Sequence, residues 1–190
     1  QERGCRNFVY ISTRCIGPDS GAYGCSKQAA ENSLRDMQWE CLLILRPSEI
    51  YGIGGTEGID RFINMGKNLH IVPLLFGSKG IRFSPMHFED FLKACRKSLR
   101  LRKEGLTILE LCGPEVLSGT ALALRVIQRY GGVPIPVWIP ALSFISNLSK
   151  ALGFPILAPD QLERLTGGKS AEHPSDHPAL DFEMIKFLNP

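Results

Sequence analysis

One stretch limits what this chain can fold into more than any other. Val9-Tyr10-Ile11 is a β-rich apolar run that ends on two hydroxyl residues, Ser12 and Thr13. Loop chemistry follows at 17–21 (Gly-Pro-Asp-Ser-Gly). Residues 22–37 then favour a helix, with the apolar or small positions Ala22, Cys25, Ala29, Ala30, Leu34 and Met37 recurring at helical spacing. A strand that turns through a short loop into a helix is the repeating unit of parallel α/β architecture. Within this unit Tyr23 and Lys27 stand four positions apart, on one helix face, with about 6 Å between their Cβ atoms.

That pairing has a chemical use. An isolated tyrosine hydroxyl, with a pKa of about 10, exchanges protons poorly at neutral pH. A neighbouring ammonium favours the phenolate and makes it a better acid–base group. A hydroxyl at the strand end, from Ser12 or Thr13, can hold a substrate oxygen against the phenol. Such a trio suits proton transfer at a carbinol or carbonyl while a hydride moves, and the hydride needs a nicotinamide because no side chain carries one. Taken alone, a Tyr-x-x-x-Lys pair also fits an ordinary exposed helix face. Its context carries the weight.

The rest of the chain continues the alternation. Residues 40–45 (Glu-Cys-Leu-Leu-Ile-Leu) read as a second buried strand, closed by Arg46-Pro47, and residues 7–11 as a first one. A loop with Gly52, Gly54 and Gly55 leads to a helix over about 58–67. Extended pieces are expected at 71–75 and 81–84, an amphipathic helix at 87–99 entered through Pro85, and a strand at 106–111. Ser118 caps a helix to about Tyr130, which Gly131-Gly132 stops. An extended, Pro-punctuated piece at 133–140 precedes helices near 141–152 and 159–165. Residues 167–178 are loop-like, and a short helix can form near 181–188. The class is α/β with a parallel sheet.

Composition removes several function classes. Of 190 residues 44% are apolar and 22% charged, as in a globular protein, and the net charge is only +3. The basic group Arg96, Lys97, Arg100, Arg102 and Lys103 falls at a helix C-terminus, where cations complement the dipole, so no nucleic-acid partner is expected. No apolar run approaches the roughly 18 residues of a membrane span, and no signal-peptide core follows Gln1. The six cysteines form no C-x-x-C pair and do not cluster with the four histidines. They read as reduced thiols in a cytoplasmic protein without a metal site.

The opening segment, Val9 to Thr13 followed by Tyr23-Gly24-Cys25-Ser26-Lys27 and Glu31, resembles the active-site segment of extended short-chain dehydrogenases/reductases, the NAD-dependent epimerase/dehydratase superfamily. Further segments resemble that family in the right order: Leu45-Arg46-Pro47-Ser48-Glu49-Ile50-Tyr51-Gly52, then Arg82 to Asp90 with His87 between, then Leu109-Glu110-Leu111-Cys112-Gly113-Pro114-Glu115. Together they span roughly 5–165. The short gap between Ser12 and Tyr23, and Leu157-Ala158-Pro159-Asp160-Gln161-Leu162, look like the atypical branch related to the NADPH-holding accessory subunit of respiratory complex I.

The resemblance implies roles. Tyr23 would be the acid/base, with Lys27 lowering its pKa and meeting the nicotinamide ribose. Thr13 holds the hydroxyl position of dehydratase-like members and Ser12 the one kept by the atypical branch; Thr13 is preferred of the two. Pro47, Glu49 and Ile50 would line the nicotinamide end. Arg82 matches an arginine that meets substrate phosphates in sugar-nucleotide epimerases, or is a plain surface arginine. His87 and Asp90 are expected to serve the helix start and packing rather than catalysis.

One departure conditions all of this. The family opens with a Gly-rich loop whose amides and helix N-terminus hold the cofactor pyrophosphate. Gly52-x-Gly54-Gly55 has the wrong spacing for it and lies after the active-site helix. The expectation is therefore the C-terminal part of a Rossmann-type parallel sheet plus a small α/β substrate domain: 1–56 with parts of 81–105 in the first, 57–166 mainly in the second, and 167–190 as a tail. The full-length protein would use NAD or NADP on a hydroxyl or carbonyl substrate such as a nucleotide-sugar, while this polypeptide alone would bind cofactor weakly and be inactive. Its sheet would expose an edge and an apolar face, open to a homo-oligomer or protein complex. The alternative function is a non-catalytic NAD(P)-binding module supporting a complex; the apolar, Pro-rich stretch 133–157 is expected first to cover the substrate domain and, in that alternative, to pack on a partner or membrane surface.

Overall fold

The computed structural model describes residues 6–17, 20–55, 57–76, 82–100, 103–138 and 181–188. Its organising strand is β2, Cys41–Pro47, whose apolar run is buried at Ile44 and Leu45. It lies between β1, Asn7–Ile11, and β7, Gly105–Leu111, both parallel to it. Asn7 pairs with Cys41 and Ile11 with Leu45, while Cys41 pairs with Gly105 and Pro47 with Leu111. A strand covered on both faces reads as a continuous apolar run, as 41–45 does.

β1 departs from the sequence expectation. It is the edge of the three-stranded sheet, with Val9 39% and Ile11 48% exposed, where a buried strand was expected. The β-rich composition is right, but burial depends on a neighbour that sequence does not specify.

Between β1 and β2 runs α1, Gly21–Arg35. Of the apolar or small positions, Ala22, Cys25 and Ala29 are exposed and Ala30 and Leu34 half-buried, while the buried positions are Gly24 and Glu31. Tyr23, Lys27, Glu31 and Arg35 form a four-residue-spaced stripe, and Lys27, Glu31 and Arg35 engage β1, β2 or one another through polar contacts described below.

The remaining elements build two packed regions. β3, Ile50–Tyr51, pairs parallel with β6, Met86–His87; β4, Ile71–Phe76, pairs parallel with β9, Val133–Trp138; and β5, Arg82–Phe83, pairs antiparallel with β8, Leu117–Ser118. Helix α2, Gly58–Asn64, continues into a π-helical turn at Met65–Leu69. Helix α3, Phe88–Arg100, buries Phe91 and Ala94 against Leu45, Met86, Leu109 and Leu111. Helix α4, Gly119–Tyr130, buries Leu122, Ala123 and Val126 in a second cluster with Tyr51, Ile59, Val72, Phe83, Leu117 and Phe187. Ser118 caps α4 as expected, accepting from the Ala121 N–H at 3.1 Å. Residues 181–188 carry no helix; they run as an extended piece ending in a turn. The helices expected at 141–152 and 159–165 and the loop-like stretch 167–178 lie outside the described residues.

The two regions meet where the chain leaves β7. The Gly113 N–H donates to the Ser84 carbonyl at 3.1 Å, and the Ser48 and Ser84 hydroxyls cross-link the same junction to the Ser84, Gly113 and Glu115 carbonyls. A methyl group at Gly113 would stand 1.7 Å from the Pro85 carbonyl oxygen. No side-chain movement relieves a clash with backbone. Gly113→Ala is therefore expected to cost about 2–3 kcal/mol, read as a lower urea midpoint at unchanged slope.

Candidate active site

The sheet ladder continues past Ile11. The Ser12 N–H donates to the Leu45 carbonyl at 2.7 Å, and the Arg14 N–H to the Pro47 carbonyl at 3.1 Å. Residues 12 and 13 therefore keep the alternation of a strand, and their side chains part company. Ser12 is 3% exposed and lies beside the Glu31 carboxylate beneath the helix. Thr13 faces away from it, and its Oγ1 accepts from the Cys15 N–H at 3.1 Å. That contact occupies a lone pair and leaves the hydroxyl proton of Thr13 to donate.

Helix α1 brings the other two groups to the same end of β1. Tyr23 is 39% exposed at its start. The Lys27 ammonium donates to the Ile11 carbonyl at 3.0 Å and stands over the rings of Tyr10 and Tyr23, at 5.1 and 5.8 Å from their centroids. Gly24 permits this seating. A methyl group there would fall 2.4 Å from the Cys15 carbonyl oxygen and 2.1 Å from the Ser20 hydroxyl. The first turn of α1 thus presses directly on the loop that follows Thr13.

The other predicted residues are distributed differently. Pro47 is buried at the end of β2, and its carbonyl backs the Thr13–Arg14 segment. Glu49 accepts from the Ser84 N–H at 3.2 Å through its carboxylate, and its carbonyl accepts from the Met86 N–H at 2.9 Å. Ile50 packs against the core on α3. These three run on from the strand that carries the Thr13 ladder. Arg82 sits apart in the β5–β8 ribbon with an exposed side chain. His87 serves the start of α3, its Nδ1 accepting from the Glu89 N–H at 3.3 Å. Gly52 and Gly55 aim their amides at one acceptor, the buried Asp60 carboxylate, at 2.8 and 3.0 Å. Among the described residues no group of His, Cys, Asp and Glu could hold a metal ion, and no helix is long and apolar enough to cross a membrane. Five described cysteines are free thiols.

Sequence reasoning missed the charge cluster beneath the site. Glu31 is fully buried and receives both ends of the Arg46 guanidinium, Nε to Oε1 at 3.0 Å and NH2 to Oε2 at 2.6 Å, with Arg35 adding a third contact at 3.1 Å. Glu110 on β7 bridges onward to Arg46 at 3.7 Å and Arg14 at 3.3 Å. The signal was present as the stripe Tyr23, Lys27, Glu31, Arg35 and as an arginine placed directly before Pro47. Burial alone would push the Glu31 carboxyl up, but the Arg46 hydrogen bonds, the Ser12 hydroxyl and the charges of Arg46 and Arg35 outweigh it and hold its pKa below the usual value. A carboxyl whose folded pKa lies below its unfolded one stabilises above the unfolded pKa, and loses that contribution as pH falls through the folded value. The window thus opens below 4.5, the ordinary value. Glu31→Gln leaves Arg46 without its counter-charge and is expected to cost about 2–4 kcal/mol at neutral pH. The same variant should flatten the acid limb of a stability-versus-pH curve measured by urea denaturation.

No family model and no curated protein matches the chain. Solved structures do. UDP-glucose 4-epimerase from Thermus thermophilus, in complex with NAD, is similar with a TM-score of 0.57 and 18% identity over 87% of this chain and 64% of that one. dTDP-4-dehydrorhamnose reductase from Bacillus anthracis str. Ames, in complex with NADP, gives 0.56 and 20% over 84% and 64%. dTDP-glucose 4,6-dehydratase from the same organism, in complex with NAD, gives 0.55 and 13% over 84% and 60%. The chain thus spans less than two thirds of the length of each of these structures. At such identities the likeness is one of fold, and the chain has the α/β, parallel-stranded architecture of Rossmann-type proteins.

Proposed function

We propose that this chain carries the hydride-transfer end of an NAD(P)-dependent oxidoreductase or epimerase site, acting on a hydroxyl or carbonyl of a substrate such as a nucleotide-sugar. The observation that carries it is the Lys27 ammonium, tied to the end of β1 by the Ile11 carbonyl and standing over the Tyr23 ring, where the strand runs into the Ser12–Thr13 hydroxyl pair. The fold likeness to sugar-nucleotide epimerases, a dehydratase and a reductase that hold NAD or NADP supports it.

Among the described residues, the Tyr23–Lys27 end suits the nicotinamide half of such a cofactor, and none is placed to hold its pyrophosphate half. The glycine amides that could cradle a phosphate, Gly52 and Gly55, are already committed to Asp60. When bound, the nicotinamide supplies or accepts the hydride. In this reading Thr13 donates to the substrate oxygen, Tyr23 moves a proton at that same oxygen, and the Lys27 charge favours its phenolate form. Pro47, Glu49 and Ile50 border the ring end, and Arg82 is assigned no part in the proton path. Calorimetry on the 190-residue chain should find no nanomolar-to-micromolar affinity for NAD(P); such affinity would refute the division into halves.

The test of chemistry is hydride transfer, followed by NAD(P)H absorbance with a panel of nucleotide-sugars, in a form of the protein with cofactor bound. Tyr23→Phe should lower turnover about 10²–10⁴-fold with cofactor affinity retained. Thr13→Val, the preferred hydroxyl, should lower turnover about tenfold or more, and Ser12→Ala made in parallel reads which of the two hydroxyls turnover needs. A second reading is a non-catalytic NAD(P)-binding module within a complex. It is favoured by the Lys27–Ile11 contact, which by itself is a structural tie between helix and strand. Unchanged turnover in Tyr23→Phe would select it.

A further inference from the structure

The C-terminal segment 181–188 is bound like a ligand. Phe187 is 1% exposed, inside the core of α2 and α4, with its ring edge-on to Tyr51 at 4.9 Å. Its backbone is held at both ends: the N–H donates to Glu115 at 3.2 Å and the carbonyl accepts from Arg125 at 2.9 Å. Glu115 and Arg125 are themselves paired twice, at 2.6 and 2.7 Å. The Ile185 N–H donates to the buried Asp90 carboxylate at 2.6 Å. Upstream, Lys97 donates to the Asp181 carbonyl, and the Lys93 and Lys97 ammoniums stand over the Phe182 ring.

This segment crosses from one core to the other. Phe182 and Met184 pack on the cluster under α3, whereas Phe187 and Leu188 join the cluster under α4. β3 makes the same crossing in one step, Ile50 entering the first cluster and Tyr51 the second. The two therefore meet ring to ring at Tyr51 and Phe187. Tyr51 also meets the His87 ring edge-on at 5.2 Å, and His87 presses on Gly52, where a methyl group would lie 2.6 Å from Nε2. One aromatic row thus links the C-terminal segment to the loop that begins at Gly52.

We propose that 181–188 is a reversible C-terminal latch that holds β3 and the 52–55 loop in place. With the function proposed above, on which this clause rests, it shapes the nicotinamide end of the site. Reversibility follows from a defect in the docked state. The Tyr51 hydroxyl is buried with no hydrogen-bond partner among the described residues, so the docked arrangement around the Tyr51–Phe187 contact carries one unsatisfied polar group. Opening would hydrate it. The latch is thus gripped by charge-assisted contacts to backbone and opposed by one unsatisfied hydroxyl.

Hydrogen exchange of the full chain, read by mass spectrometry, tests this with three variants. Phe187→Ala should speed exchange about tenfold in peptides covering 49–55 and 181–188, while β2 and β7 keep their protection. Phe187→Leu, the milder variant should the alanine fail to fold, should shift the same two peptides less. Tyr51→Phe removes the orphan hydroxyl and should slow both. Acceleration spread evenly over all peptides, no change at 49–55, or Tyr51→Phe and Phe187→Leu moving the two peptides in the same direction would overturn the latch. Turnover and exchange separate this from the functional reading. Turnover unaffected by Tyr23→Phe removes the nicotinamide clause and leaves the latch, whereas unchanged exchange at 49–55 removes the latch alone.

Discussion

The Glu31–Arg46 clamp is the interaction on which the site depends. Glu31 is a carboxylate with no solvent contact, and such a group is tolerated only when opposite charge and hydrogen bonds replace its water. Arg46 satisfies both oxygens from the adjacent central strand, and Arg35 adds a turn-to-turn contact along the helix. The result locks helix α1 in one axial and rotational setting against β2. Because Tyr23 and Lys27 lie two turns and one turn nearer the start of the same helix stripe, that setting also decides where they stand. An apolar helix face of equal area would hold the helix, but it would tolerate sliding and rotation more readily than a bidentate ion pair does.

From that clamp the geometry of the hydroxyl pair follows. Ser12 is buried next to Glu31 on the side of the strand that faces the helix. Thr13, one residue on, is turned to the other side by the pleat of the strand, where its oxygen accepts from the Cys15 N–H. The charge relay through Glu110 to Arg14 extends the same support to the loop after Thr13.

Away from the clamp, the architecture is held by junctions rather than by one continuous sheet. The three-stranded sheet and the paired strands around α2 and α4 have separate cores, and the connections between them are narrow: the Ser48–Ser84–Gly113 knot, the Asp60 cap on the 52–55 loop, and the C-terminal segment at Tyr51. All three touch or adjoin the residues read as the cofactor's ring end. A site built at such a seam is shaped by the connections as much as by the elements.

Local chemistry made much of this legible. The strands at 7–11, 41–47 and 105–111, the Ser118 cap, the stop at Gly131 and the amphipathic α3 followed from side-chain periodicity and capping, which act within a few residues. The spacing of Tyr23 and Lys27 likewise put them on one helix face before any coordinates. Other features belong to the tertiary structure alone. Which stripe of α1 is buried was decided by an arginine fifteen residues away on β2, since a paired charge can replace an apolar contact only where its partner arrives. The exposure of β1 was decided by its edge position in the sheet. The place of Phe187 was decided by the packing of β3, α2 and α4, elements far upstream in the chain. Sequence determined the local elements and the chemistry they carry; long-range pairing decided which faces are buried, because burial is a property of neighbours and not of the segment itself.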